Sequence, residues 1–129
     1  MALSLADANR IIGASIAEAE RIGVKLSVAV VDGGGQLMAF QRMEGAIAVS
    51  ATAAPGKAVG SVFFGRDSRE INADSPVMQA IIGSQGGRII PAQGAIPIYQ
   101  DGDLVGAIGG SGGTAQEDED CVRKGLEAL

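Results

Sequence analysis

The first strong pattern along the chain is an apolar stripe with helical spacing, formed by Leu5, Ala8, Ile12, Ile16 and Ala19. Steps of three and four residues place these side chains on one face of an α-helix. Ser4 is a suitable N-cap, and Gly23 is suited to the left-handed position just past the last turn. The pattern predicts a helix that begins after Ser4 and ends at Gly23.

Two β-rich runs come next and predict a hairpin. Leu26 to Val31 and Gln36 to Arg42 are joined by the turn Asp32-Gly33-Gly34-Gly35, a composition typical of tight connections. The first run is apolar on both faces, which favours a central place in the sheet. The simplest role for Asp32 is to accept hydrogen bonds within its own turn.

A helix is expected between Ser50 and Phe64, with an inward face formed by Ala54, Ala58, Val62 and Phe63. If Thr52 is the N-cap, Pro55 falls in the first turn, where a missing N–H costs nothing. Short helical pieces are expected at 66–73 and 76–82, and the last helix at 115–129.

The second half of the sheet is predicted from Ile89-Ile90, a strand over Ala95 to Tyr99, and a strand over Leu104 to Ile108. A glycine turn over Gly109 to Gly113 then leads to the last helix. Tight hairpins make neighbouring strands antiparallel, so the chain is expected to be one α+β domain over residues 1–129 and not a Rossmann fold.

Composition and charge narrow the function classes. The formal net charge is −5, which argues against a sequence-independent grip on nucleic acid or an anionic membrane surface. Neither a membrane-length apolar run nor a signal-peptide pattern is present, and the single cysteine, Cys121, fits a reducing compartment. A soluble, cytoplasmic protein is expected, with Cys121 as a buried or interface thiol.

The chain contains no histidine. This excludes Ser/His/Asp and Cys/His nucleophile arrangements and removes the imidazole ligands of most zinc and many haem sites. Chemistry must rest on carboxylates, Lys, Arg, Tyr, hydroxyls, backbone groups or a bound cofactor, and no metal site is predicted.

The glycine turn has the strand–loop–helix order that anions favour, but the acidic run Glu117 to Asp120 follows it directly. Those acids already complement the helix dipole and would repel a phosphate, so a solvated helix cap is the simpler interpretation. The glycines serve either close packing or a binding site.

Several side chains are candidates for chemistry. Lys57 lies in a segment of Ala, Gly, Val and Phe, so its head either reaches water or finds a carboxylate or ligand. Arg42 could hold an anion, or pair with an acid such as Glu44. Asp32 and Asp118 are the carboxylates that could move a proton.

Four strings together resemble the GlcG/HbpS family, which includes the C-terminal domain of PduO-type proteins: VAVVDGGGQLMAFQRMEGA (28–46), GKAVGSVFFGRDS (56–68), GAIPIYQDGDLVGAIGGSGG (94–113) and QEDEDCVRKGLEAL (116–129). The resemblance implies a profilin-like fold with a central antiparallel sheet of about five strands, and a homo-oligomer. It also implies haem binding in some relatives, in a few of them through a hydroxyl, and links to catabolism of small acids or diols. The hydroxyls beside the glycine turn are Ser111 and Thr114.

Two functional hypotheses remain open, beside a purely structural one. The first is an oligomeric small-molecule or haem-binding protein, accessory to a catabolic pathway, with its ligand at Arg42, Lys57, Gly109, Gly110, Ser111, Gly112, Gly113 and Thr114. The second is a small cofactor-independent enzyme for an acidic or carbonyl metabolite, in which Arg42 or Lys57 holds the anion and Asp32 or Asp118 moves a proton. The glycines and Phe63-Phe64 could alternatively serve subunit assembly.

Overall fold

The computed structural model describes residues 2–129. The elements in chain order are α1 (Leu5–Ile22), β1 (Ser27–Asp32), β2 (Leu37–Arg42), α2 (Ser50–Phe64), a 3₁₀ turn (Ser68–Glu70), α3 (Pro76–Ser84), β3 (Ala95–Gln100), β4 (Asp103–Ser111) and α4 (Ala115–Leu126).

The strands form one antiparallel sheet of four in the order β2-β1-β4-β3. The α+β class and the central place of β1 are confirmed, but the expected number of about five strands is wrong. Ile89 and Ile90 account for the difference. They pack against α2 at Gly60 and Gly56 instead of pairing with the sheet, and the Ile90 N–H donates to the Gly56 carbonyl over 3.1 Å.

Helices cover both faces of the sheet. α1 and α4 pack on one face over a core that includes Ile11, Leu26, Val30, Ile108 and Val122. α2 packs on the other face over a smaller core built from Val31, Ala58, Val59, Val62, Ile89 and Ala107. Cys121 lies fully buried in the first core, as predicted.

The predicted caps of α1 are confirmed. Ser4 Oγ accepts a hydrogen bond from the Asp7 N–H, and Gly23 adopts a left-handed conformation with φ +80°. The helix expected between Ser50 and Phe64 is confirmed, but it begins at Ser50 and not after Thr52, so Pro55 lies inside it. The Ser50 hydroxyl is 2.8 Å from that of Ser27 on β1, a buried tertiary contact that anchors the earlier start.

The glycine turn is shorter than predicted, because Gly109, Gly110 and Ser111 belong to β4. A Cβ on Gly109 would lie 2.5 Å from the Ala54 carbonyl oxygen of α2, and one on Gly110 would lie 3.1 Å from the Asp118 carbonyl oxygen of α4. These two glycines therefore let helices approach both faces of the same strand, which is a packing requirement.

Candidate functional site

The structure brings Lys57 and Asp118 together in a buried ion pair. Lys57 Nζ lies 3.1 Å from Asp118 Oδ2 and donates a second hydrogen bond to the Gly110 carbonyl, also over 3.1 Å. The other carboxylate oxygen of Asp118 accepts the Gly113 N–H over 2.9 Å. Both side chains are less than a tenth exposed. We call this group, together with Gly94, the Lys57 corner.

The Lys57 side chain reaches from α2, on one face of the sheet, to α4 on the other. It passes beside Gly94, which precedes β3 and has φ +139°. A Cβ on Gly94 would lie 2.8 Å from Lys57 Nζ and 2.7 Å from the Gly110 carbonyl oxygen. Only glycine leaves room for this crossing, so the ion pair ties the two helical layers together at the start of β3.

Burial dominates the electrostatics of the corner. It is the largest cause that raises the pKa of Asp118 above its ordinary value, while the Lys57 charge and the Gly113 N–H act to lower it. Burial likewise raises the pKa of Cys121 to about 11, with smaller contributions from Glu18 and Asp118. A buried neutral thiol of this kind is unreactive.

The acidic run after the turn is only partly a solvated cap. Glu117 completes a capping box with Thr114, whose hydroxyl accepts the Glu117 N–H over 3.2 Å. Asp118 and Glu119 are each only 2% exposed, so the prediction of a solvated face is wrong for these two. Glu119 Oε2 lies 3.4 Å from Arg123 and 3.6 Å from Arg69, which compensates its charge.

The other predicted site residues lie apart from this corner. Asp32 is at the opposite end of β1, where its Oδ1 accepts the N–H groups of Gly34 and Gln36, as predicted for a turn residue. Arg42 ends the edge strand β2 and donates to the Ala46 carbonyl over 3.2 Å. Across the sheet, Arg42 pairs with Ser27 on β1, and Ser27 pairs in turn with Ser111 on β4. Two strand spacings therefore place Arg42 about 10 Å from β4.

Ser111 is 7% exposed and Thr114 is occupied as the α4 cap. Ligand binding by Arg42, Lys57, Thr114 and residues 109–113, and proton transfer by Asp32 or Asp118, stay predictions. Among residues 2–129 no group of three metal-ligating side chains comes together. No helix in the same range is long and apolar enough to cross a membrane.

A second candidate site is an open groove between α2 and β2. It has a volume of about 410 Å³, and we call it the α2–β2 groove. α2 packs mainly over β1, β3 and β4, which leaves β2 largely uncovered on that face. The groove is lined chiefly by Val31, Leu37, Thr52, Pro55, Val59 and Arg88.

The groove follows one face of α2. Val49, Thr52, Gly56, Val59 and Phe63 recur at steps of three and four, so they share that face. Val49 is 59% exposed and Phe63 is 39% exposed, which corrects the prediction that Phe63 points inward. The predicted inward residues Ala54, Ala58 and Val62 are buried. This second stripe on α2 is the sequence feature from which the groove could have been predicted.

One end of the groove is closed by Arg88, from the loop between α3 and β3. Its guanidinium lies 5.5 Å from the centre of the Phe63 ring and donates to the Gly35 carbonyl over 2.8 Å. Gly35 has φ +80°, and a Cβ there would lie 2.7 Å from Phe63. The hairpin turn, the end of α2 and the α3–β3 loop therefore meet at this point.

Comparisons with known proteins agree on one family. A family model described as haem-degrading protein HbpS-like matches residues 3–127. The corrinoid adenosyltransferase PduO of Salmonella typhimurium is 28% identical over 100% of this chain, and the chain spans 39% of that protein. An uncharacterized 15.0 kDa protein from the dhaT-dhaS intergenic region of Citrobacter freundii is 31% identical, over 98% of this chain and 92% of that protein.

Solved structures share the fold. The crystal structure of a PduOC:haem complex superposes with a TM-score of 0.90 at 27% identity, covering 100% of this chain and 96% of that one. A crystal structure of HbpS gives a TM-score of 0.88 at 29% identity, covering 100% of this chain and 91% of that one. From its family model, its relatives and its fold, the chain belongs to the HbpS-like family.

Proposed function

We propose that this chain binds a flat, largely apolar organic molecule of the tetrapyrrole class, with haem as the first ligand to test, in the α2–β2 groove. The observation that carries the proposal is the groove itself. Its volume of about 410 Å³ lies within the range of ligand pockets, and Val31, Pro55 and Val59 give it an apolar lining. The relative solved in complex with haem supports the choice of ligand.

The groove residues suit the ring of a tetrapyrrole better than its iron. Haem iron is held in proteins by His, Cys, Met or Tyr, and none of these lines the groove. The chain has no histidine, Cys121 is buried in the other core, and the Tyr99 hydroxyl donates to the Gly65 carbonyl. Binding in the groove is therefore expected to rest on ring contacts and to be independent of the metal.

We further propose that the protein acts as a cytoplasmic homo-oligomer accessory to a catabolic pathway. Exposed apolar side chains, among them Ile47 at 58% and Val77 at 70%, offer surface for subunit contacts. The resemblance to the GlcG/HbpS family, with its links to catabolism of small acids or diols, supports the catabolic setting. Mass measurement in solution tests the oligomer, and a monomer at micromolar concentration would contradict it.

The decisive experiment is a spectroscopic titration with haem and with metal-free protoporphyrin. Both should bind saturably to the wild type. Leu37→Asp should weaken both by about tenfold or more, because a rim leucine contacting the ring contributes on the order of 1.5 kcal/mol. Leu37 is 56% exposed, so its replacement should not unfold the protein. Leu5→Asp is the matched control, since Leu5 on α1 is 55% exposed and remote from the groove.

The alternative place for the ligand is the glycine turn, which carries the hydroxyls of Ser111 and Thr114. Ser111→Ala removes one hydroxyl, and Thr114→Asn removes the other while keeping a side chain that can cap α4. If these variants weaken haem binding and Leu37→Asp does not, the ligand belongs at the glycine turn. If haem and protoporphyrin both fail to bind the wild type, the proposed function is wrong.

A further inference from the structure

Arg88 is a cation that lines an apolar groove. Four of the other six arginines pair with acids, Arg10 with Asp7, Arg21 with Glu18, and Arg69 and Arg123 with Asp67 and Glu119, whereas Arg42 and Arg66 form no ion pair within residues 2–129. Among residues 2–129 no carboxylate lies within ion-pair distance of Arg88. The chain carries fifteen acids against ten bases, so a free guanidinium here is not explained by a shortage of partners.

Its present contacts leave much of the guanidinium unused. The Arg88 group donates from NH2 to the Gly35 carbonyl and lies over the Phe63 ring. The remaining N–H groups of a guanidinium form a planar fork that matches the two oxygens of a carboxylate. The stack on Phe63 restrains the plane of that fork at this end of the groove.

We propose that Arg88 is the residue that recognises a carboxylate on the ligand of the α2–β2 groove. This inference rests on the proposed function and adds the ligand's chemical class, a flat apolar body that carries an acid group at its edge. Leu37 and Pro55, the accessible apolar residues of the lining, contact the body, and Arg88 pairs with the acid at the end of the groove. A neutral ester of the same molecule retains the first set of contacts and loses the second.

Arg88 also links the hairpin turn to the α3–β3 loop, through Gly35. Gly86 and Gly87, just before it, both have positive φ, so the loop bends sharply into the position that presents the side chain. A carboxylate that binds the free N–H groups leaves the Gly35 hydrogen bond in place. Ligand binding therefore requires no opening of this link.

The test compares protoporphyrin with its dimethyl ester, by fluorescence titration in the same detergent-containing buffer. Wild type should bind the diacid about tenfold or more tightly than the diester, the size expected for a hydrogen bond to a charged group. Arg88→Met should remove this preference while leaving diester binding within about twofold, and Arg88→Lys should keep part of it. Arg66→Met is the matched control, because Arg66 is also exposed and makes no side-chain hydrogen bond or ion pair among residues 2–129.

The possible failures are distinguishable. If Arg88→Met binds both forms and still prefers the diacid as strongly as wild type, the role of Arg88 is wrong and the groove stands. If Arg88→Met weakens the diacid and the diester equally, Arg88 supports the groove and does not select the acid, which also overturns the inference. If wild type binds neither form, the proposed function itself is overturned.

Discussion

The Lys57 corner and the α2–β2 groove both adjoin α2, but they differ in what surrounds their charged side chain. At the corner, the buried Lys57 ammonium pairs with Asp118 and donates to the Gly110 carbonyl. Gly94, which has no side chain, leaves the space that Lys57 occupies. At the groove, the exposed cation Arg88 has no acidic partner in the described part of the chain and lies beside an apolar surface. A group whose partners are all internal stabilises the fold, whereas one that lacks a partner is available to a ligand.

The difference shows that unusual sequence is an uncertain guide to binding. The glycine-rich end of β4 is the most conspicuous stretch of the chain, and its Gly109 and Gly110 are needed because α2 and α4 pack closely on its two faces. The groove is formed by ordinary residues such as Leu37, Thr52 and Val59.

The largest effect is expected for Lys57→Met. This change leaves the carboxylate of Asp118 buried without its cation, so the free energy of unfolding should fall by about 3–5 kcal/mol. Chemical denaturation measures it. Lys124→Met is the control, since Lys124 and its partner Glu127 are both more than half exposed and such pairs contribute at most about 1 kcal/mol.

A second variant keeps this prediction specific to the ion pair. Adding Asp118→Ala to Lys57→Met removes the uncompensated charge, and part of the lost stability should return, although the Gly113 N–H then lacks its acceptor. A loss below about 1 kcal/mol for Lys57→Met would mean that Asp118 is solvated in solution. The corner would then be accessible to ligands, and the contrast with the groove would fail.

Gly94→Ala tests the passage that Lys57 needs. The added methyl group would lie 2.7 Å from the Gly110 carbonyl oxygen and 2.8 Å from Lys57 Nζ, at φ +139°. Gly102→Ala is the matched control, because Gly102 also has positive φ (+84°) but nothing lies within 4 Å of a Cβ there. The control should lose roughly 1–2 kcal/mol from backbone strain alone.

Gly94→Ala should lose a further 1–3 kcal/mol, roughly, from overpacking. Denaturation of the two variants side by side gives the difference. Equal losses would show that the corner relaxes freely around an added methyl group, in which case the path of Lys57 does not depend on glycine.

Local signals in the sequence predicted most of the fold. Ser4 and Gly23 mark the ends of α1, and the apolar residues on both faces of β1 predicted its central place. The predictions that failed concern positions whose structure depends on contacts between segments distant in the sequence. Ile89 and Ile90 resemble a strand, but they fill the space that Gly56 and Gly60 leave on α2, which no local pattern reveals.

The candidate site was harder to predict for the same reason. Lys57 was expected to reach either water or a carboxylate, and its meeting with Asp118, sixty-one residues away, follows only from the way α2 and α4 flank β4. The groove depends on how far α2 extends over β2, which the spacing of its residues does not determine. Arg88 follows two glycines in the loop between α3 and β3, and only the three-dimensional structure shows that none of the described acids lies beside it.

The smallest effect concerns pH and separates burial from ion pairing at the corner. Because burial raises the pKa of Asp118 in the folded protein, the folded state holds this proton more tightly than the unfolded state does. The contribution of Asp118 to stability is therefore fully present below its unfolded pKa, near 3.8, and is lost as the pH rises through the higher folded value. Relative to Asp118→Asn, whose side chain does not titrate, wild type should gain free energy of unfolding as the pH falls from neutral towards 3.8. Denaturation of both proteins across that range measures the gain, and a difference that moves the other way would show that Lys57 outweighs burial.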